Sequence, residues 1–573
     1  MMARQMRPAG KDPTALFDRA VAAFEGGDIK AAAKDAKRLI KLAPQSPEVW
    51  QLQAMVMLSS DRPKEALKSA RRGLKLAPGQ PALSDILGTA LMHMEQFEDA
   101  AAAYRQALKQ MPDNPGLLNN LGNALHHSGA DEEAVAAYAD SLRLRPGHAD
   151  TAFNQGNALG SLRRYSDAET AFRTALATTP DDPDILLNLG ETLVQLRRLD
   201  DALDIFQRLD GMGVHTSGLF NNMGSALMGL CRIQEAFETL DRGAEIGRDD
   251  PLYMAKLSVF LFLQNRWKEG WDAFEARFAV GTIVPRPFQP PWWQGETLAG
   301  KSILVWAEQG LGDEIMGASM LPDLVDAGAE VTFECDPRLA PGVARAFPEV
   351  QVFPRTDPPA EGIRHRRFDL QSPLLSLARW LRPDEASYPA ESVFLSADPA
   401  RIAELRGRYH DGSDDPLIGI TWTSANPNIG DTKSMPLARL TPILKTPGVR
   451  FVDLQYGDTA AERRAVEAET GCALLHDDAI DPMVDFEGHL AQVAAMDLII
   501  SISNTTVHAA GAMGIPVWVM IRQVPDRRWL LDREDSPWYG SVRLFRQTVP
   551  DDWTDVIERV GDALSDYLAD FPR

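Results

Sequence analysis

Small residues recur through the first half of the chain at a constant spacing, which is the pattern of a repeat array. Glycines, alanines and prolines each form a series with a step of 34 residues: Gly88, Gly122, Gly156, Gly190 and Gly224; Ala66, Ala100, Ala134, Ala168, Ala202 and Ala236; Pro44, Pro78, Pro112, Pro146 and Pro180. Small residues let two helices approach closely, and proline ends a helix because it has no backbone N–H to donate. We therefore predict about seven helix–turn–helix units from residue 13 to about residue 250, followed by a degenerate capping segment to about residue 280.

This spacing resembles the tetratricopeptide repeat. Aromatic residues late in the unit, at Tyr104, Tyr138 and Phe172, keep the same step. The resemblance implies that residues 13–280 form an all-α tetratricopeptide superhelix with capping helices.

Asparagines form a further series with this step: Asn120, Asn154, Asn188 and Asn222. Each lies two residues before a glycine of the packed face, which is about 200° of helix rotation, so we expect its side chain to point away from that face. A column of carboxamides can donate to and accept from an extended peptide backbone. The array resembles the superhelix of the O-GlcNAc transferases, in which an asparagine ladder holds the acceptor peptide. The alternative is that these asparagines cap helices or fill a polar helix face.

The pattern changes after about residue 251. A helical, aromatic segment covers residues 261–278, and a connector rich in Pro and Gly covers residues 281–300. We expect Trp292 and Trp293 in this connector to dock it onto a neighbouring element. Apolar runs typical of strands then alternate with turns and helices, and this βαβ order predicts parallel sheets. The runs cover residues 302–307, 329–335, 417–424, 449–457, 494–503 and 516–521. We predict two Rossmann-like lobes, residues 301–395 and 410–573, with a cleft between them.

Six short motifs follow one another along the second half of the chain. They are WKEGWDAFEARF, PWWQGE, WAEQGLGDEIMGASMLPDL, TWTSANPN, VDLQYG and SNTTVHAAGAMGIPVW. The order resembles bacterial tetratricopeptide proteins that carry a GT-B glycosyltransferase-like domain, similar to the heptosyltransferases of lipopolysaccharide synthesis. The whole chain resembles the soluble flagellin glycosyltransferases, in which the repeats hold flagellin.

The resemblance implies an activity as well as a fold. The fold is an all-α superhelix followed by an α/β GT-B-like domain, and the activity is protein O-glycosyl transfer from a nucleotide-sugar to Ser or Thr. The acceptor implied is flagellin. By analogy with flagellin modification, the donor is a CMP-activated nonulosonic acid such as pseudaminic acid, and a UDP-, GDP- or ADP-sugar is the alternative.

Glycosyl transfer needs a base that takes the proton of the acceptor hydroxyl. Asp313 follows Gly310 and Gly312 after a predicted strand, where open α/β sheets bind ligands, and the glycines let substrate approach the backbone. The heptosyltransferases have an Asp in the matching Gly-Asp motif as their base, so the resemblance implies this role for Asp313. Glu308 and Glu314 are alternative bases, and helix capping is an alternative role for Asp313.

The leaving phosphate of the donor needs stabilisation. Asn504, Thr505 and Thr506 precede a predicted helix, whose N-terminus offers free N–H groups and a partial positive charge. His508 lies one turn into this helix and is a candidate ligand of phosphate or ribose. The related proteins often have an Asp where this chain has Ser503 or Asn504. The alternative is a simple helix cap with a histidine at the edge of the core.

Other candidates are less distinctive. Lys433 matches a basic position near the donor phosphates in the resembling family, and the alternative is a solvated lysine. Gln455, followed by Tyr456, is a candidate for contact with the nucleotide base. Asp485 or Glu487 is either a ribose ligand or a helix cap. No DxD motif follows a strand, so we expect no metal and no cofactor beyond the nucleotide-sugar substrate.

Composition excludes several classes of function. Lys and Arg number 59 against 81 Asp and Glu, and the net charge of −22 argues against nucleic acid as a partner. The 3 cysteines lie far apart, which favours a reducing compartment. The first residues carry no apolar stretch typical of a secretory signal, and no apolar run approaches the roughly 20 residues that span a bilayer. We therefore expect a cytoplasmic glycosyltransferase without membrane insertion, the alternative being a non-enzymatic adaptor or chaperone with a degenerate glycosyltransferase lobe.

Overall fold

The computed structural model describes residues 13–389, 393–425 and 430–571. The chain divides between His215 and Thr216 into two compact units. The beginning of the chain, where no secretory signal is expected, and the last three letters of the TWTSANPN motif lie outside the described residues.

The first unit is built from helices that pack in sequence order, each against the next. They are α1 (Pro13–Glu25), α2 (Ile29–Leu42), α3 (Pro47–Leu58), α4 (Pro63–Leu76), α5 (Pro81–Met92), α6 (Phe97–Leu108), α7 (Pro115–His127), α8 (Asp131–Leu144), α9 (Ala149–Ser161), α10 (Tyr165–Leu176), α11 (Pro183–Gln195) and α12 (Leu199–Gly211).

Local sequence explains where these helices begin and end. Proline fixes a helical φ at the first position of α3, α5, α7 and α11, where its missing N–H costs nothing. Side-chain oxygens of Asn114 and Asp182 accept hydrogen bonds from the first free N–H groups of α7 and α11. Even-numbered helices end shortly before the prolines of the 34-residue series, for example α2 before Pro44 and α4 before Pro78.

Each glycine of the 34-residue series lies against a large side chain of the next helix. A Cβ added at Gly88, Gly122, Gly156, Gly190 or Gly224 would lie 2.6, 2.5, 2.5, 2.3 or 2.5 Å from the side chain of Tyr104, Tyr138, Phe172, Phe206 or Leu240, respectively. These contacts are too short for any larger residue without movement of the neighbour. The glycine series and the series of large side chains are therefore the two sides of one packing contact, which recurs in each tetratricopeptide-like repeat.

The second unit begins with further helices of the same kind. They are α13 (Ser217–Gly229), α14 (Ile233–Ile246), α15 (Pro251–Leu263), α16 (Trp267–Phe274) and α17 (Ala276–Val280). The helical segment predicted over 261–278 is thus interrupted, because Asn265 has φ 58°, which a right-handed helix cannot accommodate.

The last of these helices belong to the core of the α/β region. Trp267, Trp271 and Phe274 pack in one apolar cluster with residues of both sheets described below. Arg277 is 4% exposed and pairs with Glu308, whose side chain is fully buried, at 2.7 Å.

The α/β region follows in alternating strands and helices. Its elements are β1 (Ser302–Trp306), α18 (Leu311–Ala318), α19 (Leu321–Asp326), β2 (Glu330–Cys335), α20 (Ala340–Ala346), β3 (Gln351–Pro354), α21 (Glu361–Arg364), β4 (Leu370–Pro373), α22 (Ala378–Leu381), α23 (Pro399–His410), β5 (Leu417–Ile420), α24 (Gly430–Lys433), α25 (Thr441–Leu444), β6 (Arg450–Asp453), α26 (Ala460–Thr470), α27 (Phe486–Ala494), β7 (Leu498–Ile502), α28 (Thr505–Ala512), β8 (Val517–Ile521), β9 (Val542–Arg546) and α29 (Thr554–Ala569). Three-residue-per-turn helices cover Leu374–Leu377, Glu385–Ser387 and Leu437–Leu440.

The strands form two sheets. The first has the order β3-β2-β1-β4 and the second β6-β5-β7-β8-β9, and every pairing is parallel. The predicted parallel sheets are confirmed. The connector joins the first sheet, since Trp293 is buried and its N–H donates to the Gln371 carbonyl of β4. No helix within the described ranges is both long and apolar enough to span a bilayer.

Candidate functional site

A cavity of about 310 Å³ opens at the carboxyl ends of strands from both sheets. In each sheet the strand order reverses beside a central strand, β1 in the first and β5 in the second. Parallel α/β sheets bind ligands at such points, because the loops on the two sides separate there and leave a crevice. The cavity is lined by the loops that follow β1, β5 and β7 and by parts of α18, α27 and α28.

Asp313 lies in the first turn of α18 and lines the cavity. Its Oδ1 accepts hydrogen bonds from Nη2 of Arg528 at 2.6 Å and Nη2 of Arg527 at 3.2 Å. Its Oδ2 accepts none from the part of the chain that the structure describes. Burial raises the pKa of Asp313, but Arg528 and Arg527 outweigh burial and hold this pKa below its ordinary value. The side chain does not cap the helix.

The two alternative carboxylates lie elsewhere. Glu308 is bound by Arg277 and by the N–H of Leu375. Glu314 accepts a hydrogen bond from the N–H of Asp336 at 2.7 Å. Burial raises the pKa of both groups, that of Glu314 to about 7. Neither lines the cavity, so Asp313 is the carboxylate that a ligand there would meet.

The N-terminus of α28 forms another wall. Asn504, Thr505 and Thr506 all line the cavity. The Asn504 side chain is already engaged: Oδ1 accepts from the Thr506 N–H at 3.1 Å, and Nδ2 donates to Thr421 Oγ1 at 3.0 Å. Asn504 therefore holds the helix end and the loop after β5 in place, and the hydroxyl of Thr505 and the remaining N–H groups of the first turn are the donors left for a ligand.

His508 lies on α28 and also lines the cavity. Its Nδ1 is 2.7 Å from the Tyr539 hydroxyl, and its ring stacks on Trp529 with 5.7 Å between centroids. Burial, followed by the charge of Arg528, lowers the pKa of His508 to about 3, so the ring is neutral near pH 7. A Cβ at Gly312 would lie 2.7 Å from His508 Cδ2, so this glycine allows α18 and α28 to approach. A Cβ at Gly310 would meet nothing within 4 Å, and this glycine leaves the cavity wall open.

Lys433 and Arg528 bring positive charge to the cavity. Lys433 Nζ donates to Asp526 Oδ2 at 2.9 Å, and Arg528 Nη1 lies 3.2 Å from the same oxygen. Asp313, Arg528, Asp526 and Lys433 thus form a chain of alternating charge, of which Asp313, Arg528 and Lys433 line the cavity.

Two further candidates have structural partners. Gln455 does not line the cavity: its Oε1 accepts the N–H groups of Trp422 and Thr423 at 3.0 and 2.9 Å and fixes the loop after β5. Its neighbour Tyr456 does line the cavity. Asp485 caps α27 by accepting the Gly488 N–H.

The described residues hold no group of three or more His, Cys, Asp or Glu that could bind a metal ion.

Sequence reasoning missed the segment that supplies Asp526, Arg527 and Arg528. This segment follows β8, and its letters PDRRWLLDRED place charged residues directly after a buried strand. Such a pattern at the carboxyl end of a parallel strand was the available signal. Phe486, His489 and Arg338 also line the cavity and were not predicted.

The side chains of the asparagine series are half-buried, and each forms hydrogen bonds with residues of its own compact unit. In the first unit, Asn120 Nδ2 donates to Asp85 at 3.4 Å, Asn154 Nδ2 to Asn123 at 3.0 Å, and Asn188 Nδ2 to the carbonyl of its own helix at Asp184. Within the described ranges, these three side chains use Nδ2 and leave Oδ1 without a donor.

A surface concavity of about 450 Å³ lies beside Asn188 and is lined also by Asn157, Tyr165 and Glu191. In the second unit, Asn222 Oδ1 accepts from Asn221 at 3.3 Å. The carboxamides of the first unit therefore retain acceptor capacity toward a peptide N–H.

Comparison with known proteins supports the repeat interpretation. A tetratricopeptide repeat model matches residues 12–81, 87–149 and 153–213. Protein FlbA of Caulobacter vibrioides is 35% identical over 333 residues, which are 56% of this chain and 55% of that protein. The chain thus spans about half the length of this relative.

Solved structures also resemble parts of the chain. The MamA protein is 21% identical, with a TM-score of 0.28, and the match covers 29% of this chain and 92% of MamA. PilF of Pseudomonas aeruginosa is 18% identical, with a TM-score of 0.32, over 35% of this chain and 91% of PilF.

Proposed function

We propose that this protein is an O-glycosyltransferase of GT-B type that moves a sugar from a nucleotide-sugar to Ser or Thr of a protein held by the repeats. The observation that carries the proposal is the cavity where the carboxyl ends of the two sheets meet. It holds a buried carboxylate, Asp313, beside cationic side chains and a helix N-terminus. A base facing an anion site is what transfer from a phosphate leaving group requires.

Each group has a part in the proposed reaction. Oδ2 of Asp313 accepts the proton of the acceptor hydroxyl as the hydroxyl oxygen bonds to the anomeric carbon. The bond from that carbon to the phosphate oxygen breaks, and the nucleotide leaves with the electron pair. The phosphate is held by Lys433, by Arg528 and by the first turn of α28. His508, which is neutral, lines the cavity beside these groups. The step needs no metal ion because these groups supply the positive potential.

The proposed acceptor is flagellin, and the repeats are its proposed binding surface. Support comes from the sequence motifs that resemble flagellin glycosyltransferases and from the Oδ1 atoms of Asn120, Asn154 and Asn188. Replacing these three and Asn222 by Ala should weaken binding of the acceptor protein about tenfold or more. Unchanged binding by calorimetry would exclude the asparagines as the acceptor surface.

The donor is tested by thermal unfolding with CMP, UDP, GDP and ADP. A ligand at about 100 times its dissociation constant stabilises the unit that binds it by about 2.7 kcal/mol. The nucleotide that shifts the transition identifies the donor class, and incubation of the chain with that sugar nucleotide and flagellin should add the mass of one sugar or more. Absence of transfer with all donor classes would contradict the proposal.

One observation favours a second function, a non-enzymatic adaptor. Asp313 is bound by two arginines, and its low pKa makes it a weak proton acceptor. An adaptor would bind its client through the repeats and give no transfer. The adaptor predicts that Asp313→Asn leaves every function of the chain unchanged, and the transferase predicts loss of transfer with client binding intact.

A further inference from the structure

The two ends of the cavity share one side chain, Arg528. Its Nη2 donates to Asp313 at 2.6 Å, and its Nη1 lies 3.2 Å from Asp526, the partner of Lys433. Its Nε is buried without a hydrogen-bond partner among the described residues. Arg528 therefore has an Nε–H without a partner, one Nη2 hydrogen bond to Asp313, which lines the cavity, and an ion pair through Nη1 with Asp526.

We propose that Arg528 couples phosphate binding to Asp313: a phosphate that enters the cavity takes the Arg528 guanidinium from the Asp313 carboxylate, so that Asp313 can accept a proton only when the donor is bound. The inference rests on the proposed function, because it assumes that the ligand of the cavity carries phosphate. It makes Arg528 a positioning residue for Asp313 as well as a phosphate ligand.

Competition for one cation is the physical basis. Phosphate and carboxylate both form charge-assisted hydrogen bonds with a guanidinium, whose five N–H donors form a rigid fork. Turning this fork so that paired donors face a phosphate in the cavity moves Nη2 away from Asp313. The Asp313 carboxylate holds Arg528 Nη2 through Oδ1 at 2.6 Å. When phosphate replaces it, Asp313 loses its closest positive charge and becomes more basic.

The other groups around Asp313 do not perform this exchange. Arg527 binds the same oxygen at 3.2 Å but does not line the cavity, and its guanidinium lies 4.4 Å from the centre of the Phe274 ring. His508 is neutral near pH 7, and burial holds the pKa of Tyr539 well above its ordinary value. Arg528 is thus the charged neighbour of Asp313 that a ligand in the cavity can reach.

The coupling has a direct test in binding. If Asp313 competes with phosphate for Arg528, Asp313→Asn should bind inorganic phosphate and the stabilising nucleotide about tenfold more tightly than the unaltered chain. Calorimetric titration of the full chain measures this affinity. Removal of a negative charge by itself would also raise affinity, so the effect must be measured in a second background.

Double-mutant cycles provide that background. In Arg528→Gln, the gain from Asp313→Asn should fall to about threefold or less, the part that charge removal alone contributes, whereas in the matched control Arg527→Gln it should stay near tenfold. Arg528→Lys keeps a cation and should restore part of the gain. If Arg528→Gln does not give a cooperative thermal transition, Arg528→Lys replaces it, and the gain should then be intermediate.

The outcomes separate this inference from the proposed function. Equal affinity of Asp313→Asn and the unaltered chain, or a tenfold gain that persists in Arg528→Gln, would overturn the coupling even if the chain transfers sugar. Phosphate-dependent coupling without sugar transfer would overturn the transferase and retain the coupling. No binding of phosphate or of any of the four nucleotides would overturn the coupling together with the phosphate site.

Discussion

The two units bury different kinds of side chain. In the first unit the core consists of alanines, leucines and aromatic rings against glycines, and the buried charge among its described residues is Asp35. In the second unit charged residues of both signs are buried. They are Arg277, Asp313, Glu314, Glu334, Arg382, Lys433, Asp453 and Asp477.

Buried apolar side chains stabilise the fold of the first unit, whereas the buried charged side chains of the second unit supply groups that can take part in chemistry. The first unit is stabilised by apolar contacts that recur from one helical repeat to the next, and these contacts do not require ions to be desolvated. A buried ion costs several kcal/mol of desolvation, which a partner offsets only in part. The second unit carries this desolvation cost, and two of its buried charged residues, Asp313 and Lys433, line the cavity.

The largest effect is expected from Asp313→Asn. The variant keeps the shape of the side chain but removes the proposed proton acceptor, so the rate of sugar transfer should fall by about 10²- to 10⁴-fold. Single-turnover measurements with saturating donor and acceptor report the rate. Asp478→Asn is the control, since the Asp478 side chain is 98% exposed. A rate for Asp313→Asn within twofold of the control would remove Asp313 from the mechanism.

Glu314→Gln should make the stability of the second unit less dependent on pH. Burial raises the pKa of Glu314 from 4.5 to about 7. The folded state then binds the proton more tightly than the unfolded state, so its contribution to stability is full below about pH 4.5 and is lost as pH rises through 7. The variant should match the unaltered chain at pH 4 and exceed it by up to about 3 kcal/mol at pH 8.

Calorimetric unfolding at the two pH values measures this difference. Glu349→Gln, at an exposed glutamate, is the control and should behave the same at both. A constant difference between Glu314→Gln and the unaltered chain would mean that Glu314 is ionised throughout and that its burial carries no such cost.

In the first unit, Gly156→Ala tests apolar packing. The new methyl group would lie 2.5 Å from a ring carbon of Phe172, which is 2% exposed, and overpacking of this kind costs about 1–3 kcal/mol. Gly160→Ala in the same helix meets nothing within 4 Å and should be neutral or stabilise the helix by up to about 1 kcal/mol. Chemical unfolding of both variants provides the comparison. Equal stabilities would show that the glycine series is not a packing requirement.

Tyr138→Phe should have the smallest effect. The Tyr138 hydroxyl donates to Asn123 Oδ1 at 2.7 Å, but this oxygen also accepts from Asn154 and would remain bonded. Loss of one such hydrogen bond costs about 1 kcal/mol or less. A loss above about 3 kcal/mol in the same unfolding measurement would show that polar groups also dominate the first unit.

The first unit could be predicted well because its contacts are local and periodic. Gly122 and Tyr138 meet within one helix pair, so spacing alone reveals both. In the second unit, a strand end indicated Asp313, a helix N-terminus indicated His508 and the family resemblance indicated Lys433, and the structure brings all three to one cavity. The partner Arg528 was missed because it lies 215 residues from Asp313 in a segment without periodicity.

Gln455 shows the opposite error. Its place after a buried strand suggested a ligand, but backbone N–H groups of the neighbouring loop occupy its side chain. A polar residue at a strand end can serve the loop or the ligand, and sequence does not distinguish these partners.

The buried pair of Arg277 and Glu308 limits how this chain can be recombined. A chimaera that joined the two sheets to a foreign helix array at residue 281 would leave Glu308 unpaired in an apolar interior and would expose the cluster that contains Trp271 and Phe274. Helices α13 to α17 must stay with the sheets in any such graft, since Cys231 Sγ, just after α13, donates to Gln523 Oε1 at 3.0 Å, and Tyr253 of α15 packs against Leu240 of α14. The exchangeable part of the chain therefore ends at His215, where the first unit ends.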